Sequence, residues 1–396
     1  MNIIYLHQYF ITPSEPGGTR SYWIARELIK NGHQVTMITS SSTIEEKSKQ
    51  IEVDGIKVIY IKEEYEQGMN LIKRLKAFLS FAIKSTVVSF KQQDIDFVIA
   101  TSTPLTIGIP AILLKWFKKT PFIFEVRDLW PEVPIQMGAI KNKIIVLLTR
   151  FFEKTIYKNA NFVVALSPGM QNGVIKYIPI EKTVMIPNMA KIDKFWPRES
   201  NINLMQELRL SENTFKVIHF GALGLANGID KVLDTIELMN NDSTVEFIFI
   251  GGGSTEKQLQ ARCRKKGLKN VKFLGSFPMD KTSEIVNLCD VSLVSFKDLP
   301  ILYTNSPNKL FDSLSAGKPI IVNSAGWTKD LVEQYNCGLY VNPNKPQELV
   351  KSIKYLQKND EIRLQMGLNS RKLAEEKYDK AILSKQFLEV VNKIKN

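Results

Sequence analysis

Short apolar runs alternate with amphipathic helical segments along most of the chain. The first unit of this pattern combines a β-prone run at residues 3–10, a polar loop, an amphipathic segment at 21–32 and a second apolar run at 33–40. Further β-prone runs follow at residues 56–61, 97–102, 122–127 and 162–167. Strands that alternate with helices indicate a mostly parallel sheet wrapped by helices.

The same pattern restarts after residues 185–200, a segment rich in proline and asparagine. Six more β-prone runs lie at residues 215–221, 245–253, 271–275, 291–296, 318–323 and 337–341. We predict an α/β protein of two doubly wound, Rossmann-like domains, at residues 1–190 and 191–378, joined by a hinge and facing across a cleft. The amphipathic C-terminal helix, residues 379–396, is expected to pack back towards the first domain.

The composition is that of an ordinary folded protein. The chain has 396 residues, of which 44% are hydrophobic and 23% charged. Its three cysteines have no metal-ligand spacing, which argues against a disulfide or zinc framework and fits a reducing cytosol. The N-terminal residues lack the features of a signal peptide. No uninterrupted apolar stretch reaches the roughly 18 residues of a membrane span, so none is expected.

The net charge of +13 is unevenly distributed, because most of the excess lies between residues 70 and 195. This bias indicates an anionic partner, either nucleic acid, a phosphorylated substrate or an acidic lipid surface, unless it serves solubility alone.

Two basic amphipathic segments lie within this region. Residues 70–91 place five apolar residues on one predicted face, opposite several lysines: Leu71, Leu75, Phe78, Leu79 and Ala82. Residues 140–158 carry a basic stripe at four-residue spacing: Arg150, Lys154 and Lys158. Both segments either lie on an anionic bilayer or pack on the core with solvated outer faces.

Two stretches of the first domain are candidates for ligand contact. Arg127 and Asp128 follow a β-prone run directly, where ligands of such sheets bind, although the adjacent Trp-Pro pair also fits a rigid corner. Gly17 and Gly18 lie between a strand and a helix, where backbone N–H groups can approach an anion and Arg20 could reinforce them. An ordinary strand-to-helix turn is the alternative. The stretch is neither G-x-G-x-x-G nor a P-loop.

Residues 304–319 of the second domain are the most informative segment. Pro307 can open a helix in which Lys309 and Asp312 share a face. An ammonium group near a helix N-terminus is unfavourable unless an anion lies there. A carboxylate beside it can accept hydrogen bonds from a ribose diol. The alternative is an ordinary surface ion pair between the two residues.

Other candidates have weaker support. The glycine run 251–253 either contacts a ligand or permits close packing. Asp94 and Asp96 resemble a metal-binding D-x-D pair, but they precede a strand and are interpreted as its entrance. The three histidines have no metal-ligand spacing, and His219, within a predicted strand, is assigned to the core.

These motifs together resemble the retaining GT-B glycosyltransferases of family 4, over nearly the whole chain. The carrying segments are "SEPGGTR", "ALSPGM", "IPNMAKIDKFWP" and "SPNKLFDSLSAGKPII". "VRDLWPEVPIQMGAI" and "SPNKLFD" are similar to the branch that includes N-acetyl-L-fucosaminyl transferases of O-antigen and capsule synthesis. Two departures stand out. Of the family's paired glutamates only one carboxylate remains, with Thr304 and Asp312 at the two positions. The common Arg and Lys of the donor domain are replaced by Ala222 and Asn227.

The resemblance implies a retaining hexosyltransferase that moves a sugar, for instance N-acetyl-L-fucosamine, from a UDP-sugar to a polyprenyl-diphosphate-linked saccharide. No metal or other cofactor is implied, and the enzyme is expected in the cytoplasm, on the inner face of the cell membrane. Asp128, Arg127 and Lys309 are the expected catalytic residues. The expected donor-binding residues are Gly17, Gly18, Arg20, Gly221, Asn227, Phe277, Ser306, Asn308, Lys309 and Asp312.

Three rival functions remain at this stage. A UDP-sugar epimerase shares the GT-B architecture, and the departures from the family pattern allow a non-catalytic partner subunit. A nucleic-acid-binding module would explain the charge, but the sequence contains no recognition-helix or aromatic RNA-binding signature.

Overall fold

The computed structural model describes residues 1–64, 69 and 71–395. The chain divides into two compact units. The first comprises Met1–Thr12, Thr19–Pro187 and Ala381–Asn396, and the second Pro13–Gly18 and Asn188–Lys380. Each contains a predominantly parallel sheet with helices between its strands. The prediction of two Rossmann-like α/β domains is therefore confirmed.

The first unit is built on an eight-stranded sheet of order β3-β4-β2-β1-β5-β6-β7-β8. Its strands are β1 Asn2–Leu6, β2 Gln34–Ser41, β3 Ser48–Val53, β4 Ile56–Lys62, β5 Phe97–Thr101, β6 Phe122–Val126, β7 Phe162–Ala165 and β8 Thr183–Met185. All neighbours pair in parallel except β3 and β4. The sequence pattern missed β3 and β8, because β3 is an exposed edge strand and β8 has only three residues.

Six helices connect these strands: α1 Arg20–Lys30, α2 Leu71–Phe90, α3 Gly108–Lys118, α4 Glu132–Gln136, α5 Lys143–Asn159 and α6 Pro168–Val174. Helix α1 illustrates how these helices pack on the sheet. It buries Tyr22, Ile24, Ala25 and Leu28, which recur at helical spacing and so form one apolar face against the sheet.

The second unit contains a fully parallel six-stranded sheet of order β11-β10-β9-β12-β13-β14. Its strands are β9 Phe215–Phe220, β10 Val245–Ile250, β11 Val271–Gly275, β12 Val291–Val294, β13 Ile320–Val322 and β14 Gly338–Tyr340. Successive residues of β9 enter different core clusters, Val217 in one and Ile218 in the other. A strand covered on both faces needs such a continuous apolar run.

The helices of the second unit are α7 Ile202–Glu207, α8 Ile229–Leu238, α9 Glu256–Lys266, α10 Met279–Asn287, α11 Asn308–Ser315, α12 Trp327–Gln334, α13 Pro346–Lys358 and α14 Asp360–Leu373. The final helix, α15, spans Lys380–Lys395 and from Ala381 onwards belongs to the first unit. It buries Leu383, Phe387 and Val391. Within the described residues, every helix is too short or too polar to cross a bilayer.

Candidate functional site

Polar side chains gather where three neighbouring strands of the first sheet end. His7 follows β1, Ser102 follows β5 and Arg127 follows β6. The Arg127 backbone N–H donates to Ser102 Oγ at 3.0 Å, and Arg127 Nη1 lies 3.2 Å from His7 Nε2. Burial, and then the Arg127 charge, hold the pKa of His7 well below its ordinary value, so a neutral ring accepts from Arg127. The ends of two other strands thus orient Arg127.

Asp128 lies beside Arg127 in the same group. Thr103 Oγ1 donates to Asp128 Oδ2 at 3.1 Å. Burial raises the pKa of Asp128, while the Thr103 hydrogen bond and the Arg127 charge act in the opposite direction. The following Trp130 packs edge-on against Phe78, with ring centroids 6.3 Å apart. The stretch is therefore both a packed corner and a place where a guanidinium group lies near enough to a carboxylate to lower its pKa.

Arg20 is engaged in a buried ion pair, which does not favour its predicted role in donor binding. It is 2% exposed, and its Nε donates to Glu125 Oε1 at 2.6 Å. Its Nη1 donates to the Pro187 carbonyl. Thr101 Oγ1 donates to the other Glu125 oxygen at 2.9 Å. Arg20 and Glu125 therefore form a buried ion pair that joins α1 to β6.

The loop before α1 contains the predicted glycine pair. Gly17 adopts φ 137°, a conformation that favours glycine, and is exposed. Thr19 stands at the N-cap position of α1 without capping it through its side chain. Its hydroxyl instead accepts from Trp23 Nε1 at 3.0 Å. Because the side chains of Arg20 and Thr19 are engaged elsewhere, an anion here would depend on backbone N–H groups such as those of Gly17 and Gly18.

Lys309 of the second unit lies in the first turn of α11, with its amine inside the protein. Nζ is 3.0 Å from His219 Nε2 and donates to Asn227 Oδ1 at 3.1 Å. Burial lowers the pKa of Lys309 to about 7. Gly221 has φ 115°, and a Cβ atom there would lie 3.4 Å from Lys309 Cε, so a glycine leaves room for the lysine stem.

The environment of Lys309 contains neutral acceptors in place of a counter-charge. In the part of the chain that the structure describes, Lys309 forms no ion pair with a carboxylate. A buried ammonium group without an anion is costly, since it loses hydration and gains little Coulomb energy. An anion bound at the start of α11 would remove that cost and would also meet the positive end of the helix.

Asp312 stands one turn further along α11 and has its own partner. Lys191 Nζ lies 2.5 Å from Asp312 Oδ1, and both side chains are largely buried. Burial raises the pKa of Asp312, and the Lys191 charge opposes that rise. The surface ion pair considered between Lys309 and Asp312 is absent, because each side chain is buried against a different partner. Lys191 carries no sequence signal beyond its place in the interdomain segment, so it was not predicted.

The remaining predicted donor residues lie in the second unit, two of them at or just before the start of α11. The Asn188 backbone N–H donates to Ser306 Oγ at 3.2 Å, and its side chain donates to the Ser306 carbonyl. Asn308 is half-buried as the first residue of α11. Phe277 is half-buried against a core cluster of the second unit. Thr304, at the position of the missing glutamate, donates its hydroxyl to the Ile301 carbonyl at 2.7 Å.

Glycines 251 to 253 allow two loops of the second unit to approach closely. A Cβ atom on Gly251 would lie 1.9 Å from the Gly221 carbonyl oxygen, and one on Gly253 would lie 2.4 Å from the Leu223 carbonyl oxygen. The packing role considered for this run is therefore present. Its indirect effect on the site is to fix the loop after β9, which carries Asn227.

The D-x-D pair of the first unit lies at the amino end of β5. Asp96 Oδ2 accepts from the Asn2 backbone N–H at 2.7 Å, and the Asp94 carbonyl accepts from the Asn2 side chain. Both residues thus bind the start of β1, as their interpretation as a strand entrance predicts.

One face of the first unit exposes many apolar side chains. In α2, Phe78 and Ala82 are buried, whereas Leu75 and Leu79 are exposed, so the apolar residues predicted on one face are divided between the core and the surface. Asn70 and the Leu71 side chain lie outside the described residues. Helix α3 packs against both α2 and α5. The exposed side chains of these three helices, here called the apolar ridge, are Ile72, Leu75, Leu79, Ile83, Val87, Trp116, Phe117, Ile144, Ile145, Leu147, Leu148 and Phe151.

Basic residues accompany the apolar ridge. Lys76, Lys143 and Lys154 are exposed on α2 and α5. Of the predicted basic stripe, Arg150 forms an ion pair with Glu132 at 2.6 Å. The outer faces of these helices are therefore not the simple solvated faces that core packing alone predicts. So large an exposed apolar area usually marks a surface that meets a partner or a membrane.

Comparison with known proteins agrees with this architecture. The model "Glycosyl transferase 4-like domain" matches residues 17–189, and "Glycosyl transferases group 1" matches residues 200–373. The chain is 24% identical over 290 residues to the probable glycosyltransferase WbjE of Pseudomonas aeruginosa, covering 72% of this chain and 70% of WbjE. It is 22% identical over 335 residues to the putative colanic acid biosynthesis glycosyl transferase WcaI of Escherichia coli K12, covering 80% and 79%.

Solved structures show the same fold. Sucrose-phosphate synthase from Thermosynechococcus elongatus superposes with a TM-score of 0.78 at 15% identity, over 99% of this chain and 98% of the other. HepE from Anabaena, solved with UDP-glucose, superposes with a TM-score of 0.76 at 20% identity, over 99% and 100%. Two glycosyltransferase models span most of the chain, and each falls on one of the two Rossmann-like units described above. The chain is therefore a glycosyltransferase with the GT-B fold, and its residues 200–373 match the group 1 model.

Proposed function

We propose that this glycosyltransferase moves a hexose derivative from a UDP-sugar to a polyprenyl-diphosphate-linked saccharide with retention of configuration. The resemblance described above favours an N-acetylated amino sugar such as N-acetyl-L-fucosamine, and a role in O-antigen or capsule synthesis. The observation that carries the proposal is the Lys309 ammonium, buried at the start of α11 without a counter-charge among the described residues. HepE, of the same fold, was solved with UDP-glucose.

The second unit would hold the donor. Lys309 would contact the diphosphate, with Gly221, Asn227, Ser306 and Asn308 around it. The uracil would lie near Phe277, and the ribose would bind the Asp312 carboxylate. In transfer, negative charge develops on the departing diphosphate, so a preorganised ammonium there stabilises the transition state more than the ground state. This scheme needs no metal ion.

The first unit would hold the acceptor. Arg127 and Asp128 lie side by side at the carboxyl end of its sheet, where ligands of such sheets bind. Asp128 would accept a hydrogen bond from the acceptor hydroxyl, and Arg127 would meet phosphate charge. For retention, the acceptor hydroxyl would attack from the leaving-group face and pass its proton to the departing phosphate oxygen.

The direct test is a panel of radiolabelled UDP-sugars with polyprenyl-diphosphate-GlcNAc as acceptor, with and without EDTA. We expect one donor to label the lipid-linked product, at the same rate of transfer with and without EDTA. The new glycosidic bond should have the same anomeric configuration, α or β, as the sugar in the donor. Conversion of a UDP-sugar without acceptor would favour the epimerase, and no reaction with any donor would favour a partner subunit.

Asp128→Asn is expected to lower kcat for transfer by roughly 10²-fold, the lower range for loss of a positioned acid–base or acceptor group. The melting temperature should be nearly unchanged, because the asparagine carbonyl can still accept from Thr103. Steady-state kinetics and thermal unfolding measure the two effects. Asp94→Asn, at the opposite end of the sheet, is the control. Wild-type kcat in a folded Asp128→Asn protein would remove Asp128 from the site.

We further propose that the apolar ridge rests on an anionic membrane, where a polyprenyl-linked acceptor is held. Apolar side chains at the lipid boundary and lysines at anionic headgroups act together, each lysine adding about 1 kcal/mol. The ridge and its exposed lysines have this combined chemistry.

Leu147→Gln with Phe151→Gln should lower the partition onto phosphatidylglycerol vesicles at least tenfold, since burial of one such side chain contributes about 1.5–3 kcal/mol. Vesicle flotation measures the partition. The matched control is Leu364→Gln with Leu368→Gln, two equally exposed leucines on α14. Equal flotation of the two double variants, or equal binding to phosphatidylcholine vesicles, would contradict the membrane role.

A further inference from the structure

His219 sits in the middle strand of the second sheet, yet it is polar and contacts Lys309. It is fully buried on β9. Its ring Nδ1 lies 3.1 Å from the Leu293 carbonyl oxygen of β12, and Nε2 lies 3.0 Å from Lys309 Nζ. A carbonyl oxygen can only accept, so Nδ1 carries the ring proton and Nε2 presents a lone pair. The lone pair accepts from the lysine amine.

We propose that His219 is a positioning residue of the donor site, which holds the Lys309 amine in place for a nucleotide diphosphate and lets the amine take up a proton when that diphosphate binds. This inference rests on the proposed function, because it takes the diphosphate of a UDP-sugar as the ligand of Lys309.

The groups around the Lys309 amine explain why a neutral histidine suits this position. Lys309 Nζ is faced by the His219 ring from β9, by Asn227 Oδ1 from the following loop and by the Phe296 ring, whose centroid is 5.9 Å away. Gly221 lines the stem. Among these neighbours His219 is the titratable one, and all of them are neutral. They direct the amine without neutralising it, so its charge stays available for phosphate oxygens.

The neighbouring pair on the same helix shows the contrast. Lys191 lies against the Asp312 carboxylate at 2.5 Å, so its charge is already matched. A carboxylate in place of His219 would do the same to Lys309 and would compete with phosphate. Helix α11 thus contacts one lysine with a counter-charge, Lys191 from the interdomain segment, and contains another, Lys309, with only neutral acceptors. The second arrangement is the one that suits an anionic ligand.

Proton uptake follows from the same environment. Burial lowers the pKa of Lys309 to about 7, and burial together with the Lys309 charge lowers the pKa of His219 well below its usual value. A bound diphosphate, being anionic, raises the pKa of Lys309 again. Above pH 7 the free protein therefore has a partly neutral amine, whereas the complex has a protonated one. Each pH unit above 7 then weakens diphosphate binding by up to tenfold.

The test uses UDP as the probe and titration calorimetry between pH 7 and pH 9, above the roughly pH 6 titration of a phosphate group. Each pH is measured in two buffers of different ionisation enthalpy, which reports protons taken up on binding. For the wild-type protein we expect proton uptake approaching one per UDP and a Kd that rises with pH. UDP binding without proton uptake or pH dependence overturns the inference alone, and no UDP binding at any pH overturns the proposed function.

Two variants separate positioning from a structural role. His219→Gln retains an acceptor for Lys309 and should keep the Kd within about threefold and the pH midpoint unchanged. His219→Phe retains the ring shape but loses the acceptor, so the Kd should rise about tenfold, the usual cost of one lost hydrogen bond to a charged group, and the midpoint should move to lower pH. A folded His219→Phe protein with the wild-type Kd and midpoint overturns the inference. If His219→Phe does not fold, the folded His219→Gln protein decides the positioning role, and a Kd or pH midpoint outside the limits given above overturns the inference.

Discussion

Replacing Lys309 with methionine is expected to lower kcat for sugar transfer by roughly 10²–10³-fold, as removal of a preorganised charge-stabilising donor does in other enzymes. The same variant is expected to unfold at an unchanged or higher temperature. The two effects have one cause, since the buried ammonium is costly in the free protein and useful only when an anion is bound. Methionine fills nearly the same volume without a charge.

The stability effect has a definite pH dependence. The pKa of Lys309 is about 7 in the folded protein and 10.5 when unperturbed. Between these values the unfolded chain binds more protons, so the stability of the wild-type protein rises with pH relative to the variant. The advantage of Lys309→Met in free energy of unfolding is therefore largest below pH 7 and fades towards pH 10.5.

Steady-state kinetics, UDP titration and thermal unfolding at several pH values test this prediction. Lys265→Met is the control for lost positive charge, since Lys265 is exposed on α9. Lys191→Met is the control for a lost buried lysine and should be destabilising, because it leaves the Asp312 carboxylate without its partner. A Lys309→Met protein that is less stable but fully active would show that the lysine is structural and would refute the donor site.

Replacing Glu125 with glutamine is expected to lower the free energy of unfolding by about 3–5 kcal/mol, the usual effect of removing one partner of a buried ion pair. Glutamine keeps the size of the side chain and one acceptor, but Arg20 would then be a buried guanidinium without an anion. UDP affinity of the folded protein should stay unchanged, because Arg20 is buried against Glu125 and joins α1 to β6.

Denaturant unfolding measured alongside UDP titration distinguishes this role from an anion site. The matched control is Glu132→Gln, because Glu132 binds Arg150 at 2.6 Å, the same separation, in an exposed pair. An exposed pair contributes about 0–1 kcal/mol. A small loss of stability in Glu125→Gln together with weakened UDP binding would return Arg20 to the donor site.

The sequence pattern was sufficient for most elements of both sheets. Apolar runs such as 122–126 and 215–220 are buried on both faces, and their continuous hydrophobicity distinguishes them from helices and loops. Strand β3 was not predicted, because its polar residues are exposed at the sheet edge. The sequence left the burial of α2 undecided for a similar reason. A helix that exposes one apolar stripe and buries another has two apolar stripes, and periodicity alone does not say which one faces the core.

The site could be located from the sequence only in part. Arg127 and Asp128 are adjacent in the chain and follow a strand, so local reasoning placed them at the sheet edge. Lys309 and Asp312 were placed on one helix face for the same reason. Their partners His219 and Lys191 lie about a hundred residues away along the chain, and no local pattern joins them.

The order and character of apolar runs determined the two Rossmann-like units, because hydrophobic burial and backbone hydrogen bonding are set by local periodicity. Tertiary packing decided which basic side chains have a counter-charge. Arg20 and Lys309 are both basic residues at the start of a helix that follows a strand end, and the sequence does not distinguish them. The fold places a carboxylate against Arg20 and a neutral histidine against Lys309. A buried cation that is paired with a carboxylate has a structural role. A buried cation without a counter-charge can instead form its ion pair with an anionic ligand.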